Sequence, residues 1–177
     1  EKNRPIDASL FTTNRDEILN DPEIDVVVEL IDEVDAACEI VTSALKKGKA
    51  VVSANKKMIA ENFAELLHLQ QQYNTPFLYE ASCCASIPVI RNLEEYYDND
   101  LLTSVAGILN GSTNYILTHI FENNKAFDVA LRDAQQLGYA ESDPRLDVMA
   151  LDPKYKLLII LVHAFGILLK PEDIFNY

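Results

Sequence analysis

Positive charge, cysteine and glycine are all scarce in this sequence, and each shortage removes a class of function. Fifteen lysines and arginines against 28 aspartates and glutamates leave a net charge of −13. That excludes nucleic acid or an anionic membrane as the main partner, since both recruit cationic surfaces. Cys38, Cys83 and Cys84 form neither an even set nor a CxxC pair, so no disulfide framework or zinc site is indicated and reduced thiols are expected. The five glycines, Gly48, Gly107, Gly111, Gly138 and Gly166, contain no GxGxxG. If the fold binds a dinucleotide, its phosphate turn lies outside this stretch. No apolar run approaches the roughly 18 residues of a membrane span, and EKNRPIDASL has no signal-peptide core, so the expected compartment is the cytoplasm. The chain opens without methionine in polar sequence, as a piece of a longer protein would.

What is present is enough for a core: 177 residues, 49% of them hydrophobic. DVVVELI at 25–31 is a short β-branched run, predicted as a strand buried on both faces of a parallel sheet. Val34, Ala37, Cys38, Val41 and Leu45 recur at helical spacing up to Lys47, with Gly48 placed to stop the helix. A strand at 50–53, a helix at 57–73 stopped by Asn74-Thr75-Pro76, and a strand at 77–80 follow. Strand, helix, strand, helix, strand with short links is the pattern of a doubly wound α/β unit, which binds ligands at the carboxyl ends of its strands. Beyond residue 81 the pattern changes: helices at 87–97, 112–122 and 126–137, a strand at 101–109, and a long apolar helix closed by Lys170-Pro171. A second strand begins at 173. The fold class is therefore α/β, the later part of a Rossmann-type parallel sheet at 1–80 followed by an α+β domain at 81–177.

Four stretches could carry chemistry, and each has a plainer meaning. VVSANKK at 51–57 sets polar groups at the end of a buried strand, although Asn55 could simply cap the next helix. YEASCCASIP at 79–88 passes through small residues that allow close approach to the backbone, and Ser86 could be an N-cap. GILNGSTNY at 107–115 offers backbone N–H groups at a helix start, suited to a carboxylate or to ordinary capping. Residues 137–156, LGYAESDPRLDVMALDPKYK, end in Asp152 and Lys156. That pair is either an exposed i,i+4 ion pair of about 0.3–0.5 kcal/mol or, given the flanking apolar residues, a covered lysine with a tunable proton. His68, His119 and His163 share no spacing and are taken as helix residues rather than metal ligands.

In order, DVVVELI, VVSANK, YEAS with Ile87-Pro88, GILNGSTNYIL, LGYAESDPRLDV and the D-x-x-x-K-L of 152–157 resemble homoserine dehydrogenase over nearly the whole chain. The resemblance implies a Rossmann domain and a catalytic domain that also dimerises. Some family members add a regulatory domain or a fused aspartate kinase. It further implies reduction of aspartate 4-semialdehyde to L-homoserine with NADP or NAD, on the route to threonine and methionine. By the same resemblance Lys156, Asp152 and Lys56 are catalytic, and Glu141, Asp147, Gly111 and Ser112 bind substrate. Ser53, Asn55, Lys56 and Ser86 meet the cofactor. Backbone oxygens of Glu80, Cys83, Ala85 and Ile87 hold a monovalent cation, Na+ or K+.

The sequence also departs from the family pattern. Cys83-Cys84-Ala85-Ser86 stands in place of a glycine-rich turn, Asp32-Glu33 in place of Gly-Gly, and Met149-Ala150 in place of Glu-Gly. None touches the presumed proton donor, so a divergent homoserine dehydrogenase is expected, with this piece inactive by itself. Two rivals stay open: another amino-acid dehydrogenase of related architecture, and a non-catalytic assembly module that pairs subunits through 101–109.

Overall fold

The computed structural model describes residues 7–99 and 101–175. A 3-10 turn, Ala8–Leu10, leads into helix α1, Arg15–Asn20. Three parallel strands then alternate with two helices: β1 Val26–Glu29, α2 Val34–Lys46, β2 Ala50–Ser53, α3 Lys56–Tyr73 and β3 Phe77–Leu78. The strand order is β1-β2-β3, with Val27 opposite Val51 and Val51 opposite Phe77. α2 forms where the periodicity predicts, because Ala37, Val41, Ala44 and Leu45 fall on one fully buried face. Its first turn is held by the Glu33 carboxylate, which accepts from Asp35 N at 3.1 Å and Ala36 N at 2.6 Å. Glu33 thus supplies the N-cap of α2. Gly48 follows the helix at φ 75°, a left-handed angle that glycine adopts without a Cβ clash.

The remaining helices are α4 Ala81–Cys84, α5 Val89–Tyr96, α6 Gly111–Asn123, α7 Phe127–Gln136, α8 Arg145–Val148 and α9 Leu151–Phe165. α9 packs on α3, α4 and α5. It adds Ile159 and Ile160 to the core that also contains Val51, Ile59, Leu66 and Phe77. Tyr79 and Glu94 fix it from two sides through His163, whose Nε2 lies 3.0 Å from the Tyr79 hydroxyl and whose Nδ1 lies 2.8 Å from Glu94 Oε1. A smaller cluster of Ile116, Ala130, Ala134 and Ala140 joins α6 to α7.

Four expectations are corrected. β1 is buried on one face only: Val27 and Glu29 are inside while Val26 and Val28 are 51% and 61% exposed. Val27 shares a core with Val41 and Leu45 of α2 and with Ile59 and Leu66 of α3, while Val26 and Val28 point to the other side. Residues 101–109 form no strand, because among the described residues that segment has no ladder partner and an extended chain without one is not a sheet. α9 stops at Gly166, φ 65°, four residues before Lys170. Glycine in the left-handed region ends a helix as firmly as proline does. The predicted strand at 173 begins instead with a 3-10 turn, Pro171–Asp173, and its last two residues, 176–177, lie outside the described residues.

Candidate active site

The sheet and the helices that follow it bring the two lysines to one carboxylate. Lys56 opens α3 directly after β2, so its side chain starts at the carboxyl end of that strand. Asp152 lies in the first turn of α9, where the helix dipole favours a negative charge. Lys56 Nζ stands 3.1 Å from Asp152 Oδ1, and Lys156 Nζ stands 2.7 Å from Asp152 Oδ2. Asp152 is 9% exposed and Lys156 17% by side chain, so this is a largely covered pair rather than a solvated one. Lys156 Nζ also donates to the Leu109 carbonyl at 2.8 Å. Two of its three N–H bonds therefore have fixed acceptors.

Burial by itself raises the proton affinity of the Asp152 carboxyl. The hydrogen bonds from Lys156 and Asn110 and the charges of Lys56 and Lys156 outweigh it and hold the group below the ordinary carboxylate value. Asp152 is thus anionic at neutral pH.

A cavity of about 400 Å³ opens at the carboxyl ends of β1 and β2, lined by Ile31, Asn55, Lys56, Glu141, Asp152 and Tyr155 among others. Glu141 and Lys56, 85 positions apart in sequence, therefore line the same cavity. Lys156 does not line it and meets the site through Asp152. Exposed Leu30 and Ile31 sit at the same rim. An apolar edge next to a cation thus lies at the carboxyl ends of the parallel strands, where sheets of this type bind ligands.

Several predicted site residues hold the frame. The Ser53 hydroxyl is buried, donates to Glu29 Oε2 and accepts from Asn55 N at 3.1 Å. Asn55 caps α3 by accepting from Met58 N and donates to the Ile31 carbonyl at 2.7 Å. Ser112 is buried with its hydroxyl donating to the Tyr139 carbonyl. Gly111, the first residue of α6, is exposed and has open space around it. Asp147 is half-buried and accepts from Asn110 Nδ2 at 2.6 Å. Ser86 is exposed and does not cap α5. That role falls to Glu80, whose carboxylate accepts from Ile90 N at 2.9 Å and Arg91 N at 3.0 Å.

The residues of the candidate cation site follow one another along α4 and the turn after it. Two of those carbonyls already accept backbone N–H groups, Glu80 from Cys83 at 3.3 Å and Ile87 from Val89 at 2.9 Å, each keeping one lone pair. Ala85 in this turn has φ 51°. That is a left-handed angle, which glycine adopts more readily than alanine. Burial pushes the Cys83 thiol up to about 12, so it is a packed hydrophobe and not a nucleophile. Among the described residues no group of three or more His, Cys, Asp or Glu side chains could hold a metal, and no helix is long and apolar enough to cross a membrane.

A family model for homoserine dehydrogenase matches residues 88–176, and one for the homoserine dehydrogenase NAD-binding domain matches residues 2–80. The chain belongs to the homoserine dehydrogenase family. The Lactococcus lactis homoserine dehydrogenase is 41% identical over 164 residues, which cover 93% of this chain and 38% of that protein. A solved homoserine dehydrogenase from Thiobacillus denitrificans superposes with a TM-score of 0.85 at 39% identity, covering 93% of this chain and 38% of its own. A hyperthermophilic archaeal homoserine dehydrogenase in complex with NADPH gives 0.76 at 29% identity, over 89% of this chain and 49% of its own. The chain spans about 38% of the length of the first of these relatives.

One residue at the centre of this site had no individual signal in the sequence. Asn110 joins Asp147 to Asp152, with Nδ2 3.0 Å from Asp152 Oδ2, and accepts from Thr113 N at 2.8 Å. Its place just ahead of a helix start hinted only at the cap. Its two aspartates lie 37 and 42 residues away, beyond any local spacing rule.

Proposed function

We propose that this chain supplies the substrate side of a nicotinamide-dependent homoserine dehydrogenase, interconverting L-aspartate 4-semialdehyde and L-homoserine on the way to threonine and methionine. The observation that carries the reading is one anionic carboxylate, Asp152, gripped by two lysines beside a cavity that also presents Glu141. NADP or NAD, when bound, supplies or accepts the hydride. Glu141 and Asp147 draw the substrate ammonium. Lys156, aimed by Asp152 and the Leu109 carbonyl, gives a proton to the carbonyl oxygen as negative charge develops there, and takes it back in the reverse direction. Lys56 stabilises the same oxygen electrostatically. A second assignment, Lys56 as the proton donor, is favoured by its position in the cavity wall.

The same reading divides the chain into the later part of a nucleotide domain, 1–80, and a substrate and dimerisation domain, 81–177. The cation at the Glu80–Ile87 turn, pairing into a homodimer and a cytoplasmic setting belong to this proposal. The test is nicotinamide reduction driven by homoserine in the complete subunit. Glu141→Ala is expected to raise the KM for homoserine at least tenfold while the cofactor KM stays within twofold. Absence of homoserine oxidation would remove the proposal, and equal changes in both KM values would remove Glu141 from its role.

A further inference from the structure

Asn110 is 6% exposed, and all of its side-chain hydrogen-bonding capacity is in use. Both amide hydrogens go to carboxylates, at 2.6 Å to Asp147 Oδ1 and at 3.0 Å to Asp152 Oδ2. The amide oxygen accepts from Thr113 N at 2.8 Å and Thr113 Oγ1 at 2.9 Å. This pattern fixes the orientation of the amide. Reversed, it would aim an oxygen at two carboxylates and an NH₂ at a backbone N–H. The neighbouring Leu109 carbonyl, meanwhile, holds Lys156. Two consecutive residues therefore reach three charged side chains on α8 and α9.

We propose that Asn110 is a positioning residue for the dehydrogenase reaction: it keeps Asp147 and Asp152 in register as separate carboxylates and, with Leu109, aims the free N–H of Lys156. The role rests on the function proposed above and adds to it a group that need not touch substrate. Two carboxylates meeting at one nitrogen repel each other, and a neutral double donor between them offsets that repulsion without neutralising Lys156. A third anion in the same place would do the opposite. It would share a proton with its neighbours and pull Lys156 and Lys56 out of alignment.

Capping and positioning separate cleanly in Asn110→Asp. Aspartate caps a helix as well as asparagine does, so a capping role alone predicts unchanged kinetics. Positioning predicts a kcat for homoserine oxidation lowered about 100-fold near pH 8 in the complete subunit, as misplaced reacting groups give. The deficit should shrink as pH falls and the crowded carboxyl protonates. Asn110→Ser keeps the cap, adds no charge and removes both donors to the carboxylates. It should lose kcat to a similar degree with no recovery in acid, and it decides the matter if Asn110→Asp does not fold. A kcat within twofold of the parent and an unchanged pH profile would overturn the inference. If the unsubstituted subunit fails to oxidise homoserine, the functional reading falls separately. Carboxyl ¹³C titration then still tests Asn110: an Asp152 value displaced upward in Asn110→Ser supports the inference, and an unmoved one overturns it.

Discussion

Asp152–Lys156 and Asp128–Arg132 share a spacing, an order of charges and a helical setting, yet the folded chain treats them differently. Both place the acid four residues before the base, and both close at hydrogen-bonding distance, 2.7 and 2.9 Å. The Asp128–Arg132 pair on α7 is 66% and 62% exposed, whereas the Asp152–Lys156 pair is 9% and 17% exposed. Asp152 also meets Lys56 and Asn110, and Lys156 meets the Leu109 carbonyl. An i,i+4 pair in water contributes a few tenths of a kcal/mol. The same pair under cover, with additional partners, holds the lysine ammonium in one place. The spacing is local, but the cover comes from elements tens of residues away.

The largest expected contrast between the two pairs is kinetic. In the complete subunit, Lys156→Ala should lower kcat for homoserine oxidation by about a thousandfold, in the range of a lost general acid. Arg132→Ala should leave it within twofold. If the two substitutions behave alike in steady-state assays, burial has not given the α9 pair a separate role.

Stability should divide the pairs next. Asp152→Asn leaves Lys56 and Lys156 facing a neutral amide and should cost about 2–3 kcal/mol in denaturant unfolding, below the full penalty for a buried pair because both lysines are partly exposed. Asp128→Asn should cost about 0.3 kcal/mol. Because the folded-state affinity of Asp152 for protons is depressed, its contribution is complete above the ordinary carboxylate value, about 4, and disappears as pH falls through the lower folded value. The gap between Asp152→Asn and the parent should therefore close in acid. A gap that stays constant from pH 7 down to pH 2 would contradict the ion-pair explanation.

The smallest effect concerns how the two helices start. α7 begins after Ala126 at φ −67°, an ordinary angle, while α9 begins after Ala150 at φ 56°. Ala150→Gly relieves that left-handed strain against a more flexible unfolded chain and should raise stability by about 0.5–1 kcal/mol without changing kcat. Loss of stability would show that the alanine side chain makes a contact worth more than the strain.

Much of the fold was legible because its signals are local. The buried stripe of α2, the stop at Gly48, and the parallel β1 and β2 follow from periodicity and punctuation within a dozen residues. The misreadings came from signals that depend on neighbours. Whether Val26 and Val28 are covered depends on what packs above them, and whether 101–109 is a strand depends on a partner. Gly166 outranked Lys170-Pro171 as a helix stop because the first residue able to turn left-handed ends the helix. In the site, the Asp152–Lys156 pair was visible from its spacing and Glu141 through the family resemblance. Asn110 and the capping of α5 by Glu80 were not, since their partners lie 10 to 42 residues away.

The central claim is that Lys156 delivers a proton and is not merely half of an ion pair. Lys156→Arg tests this most directly, because arginine keeps the charge beside Asp152 but does not release its proton near neutral pH. In the complete subunit the predicted result is a kcat for homoserine oxidation at least a hundredfold below the parent, with the homoserine KM within threefold. Activity retained within a few-fold in Lys156→Arg, but lost in Lys56→Arg, would contradict the claim and move the proton to Lys56.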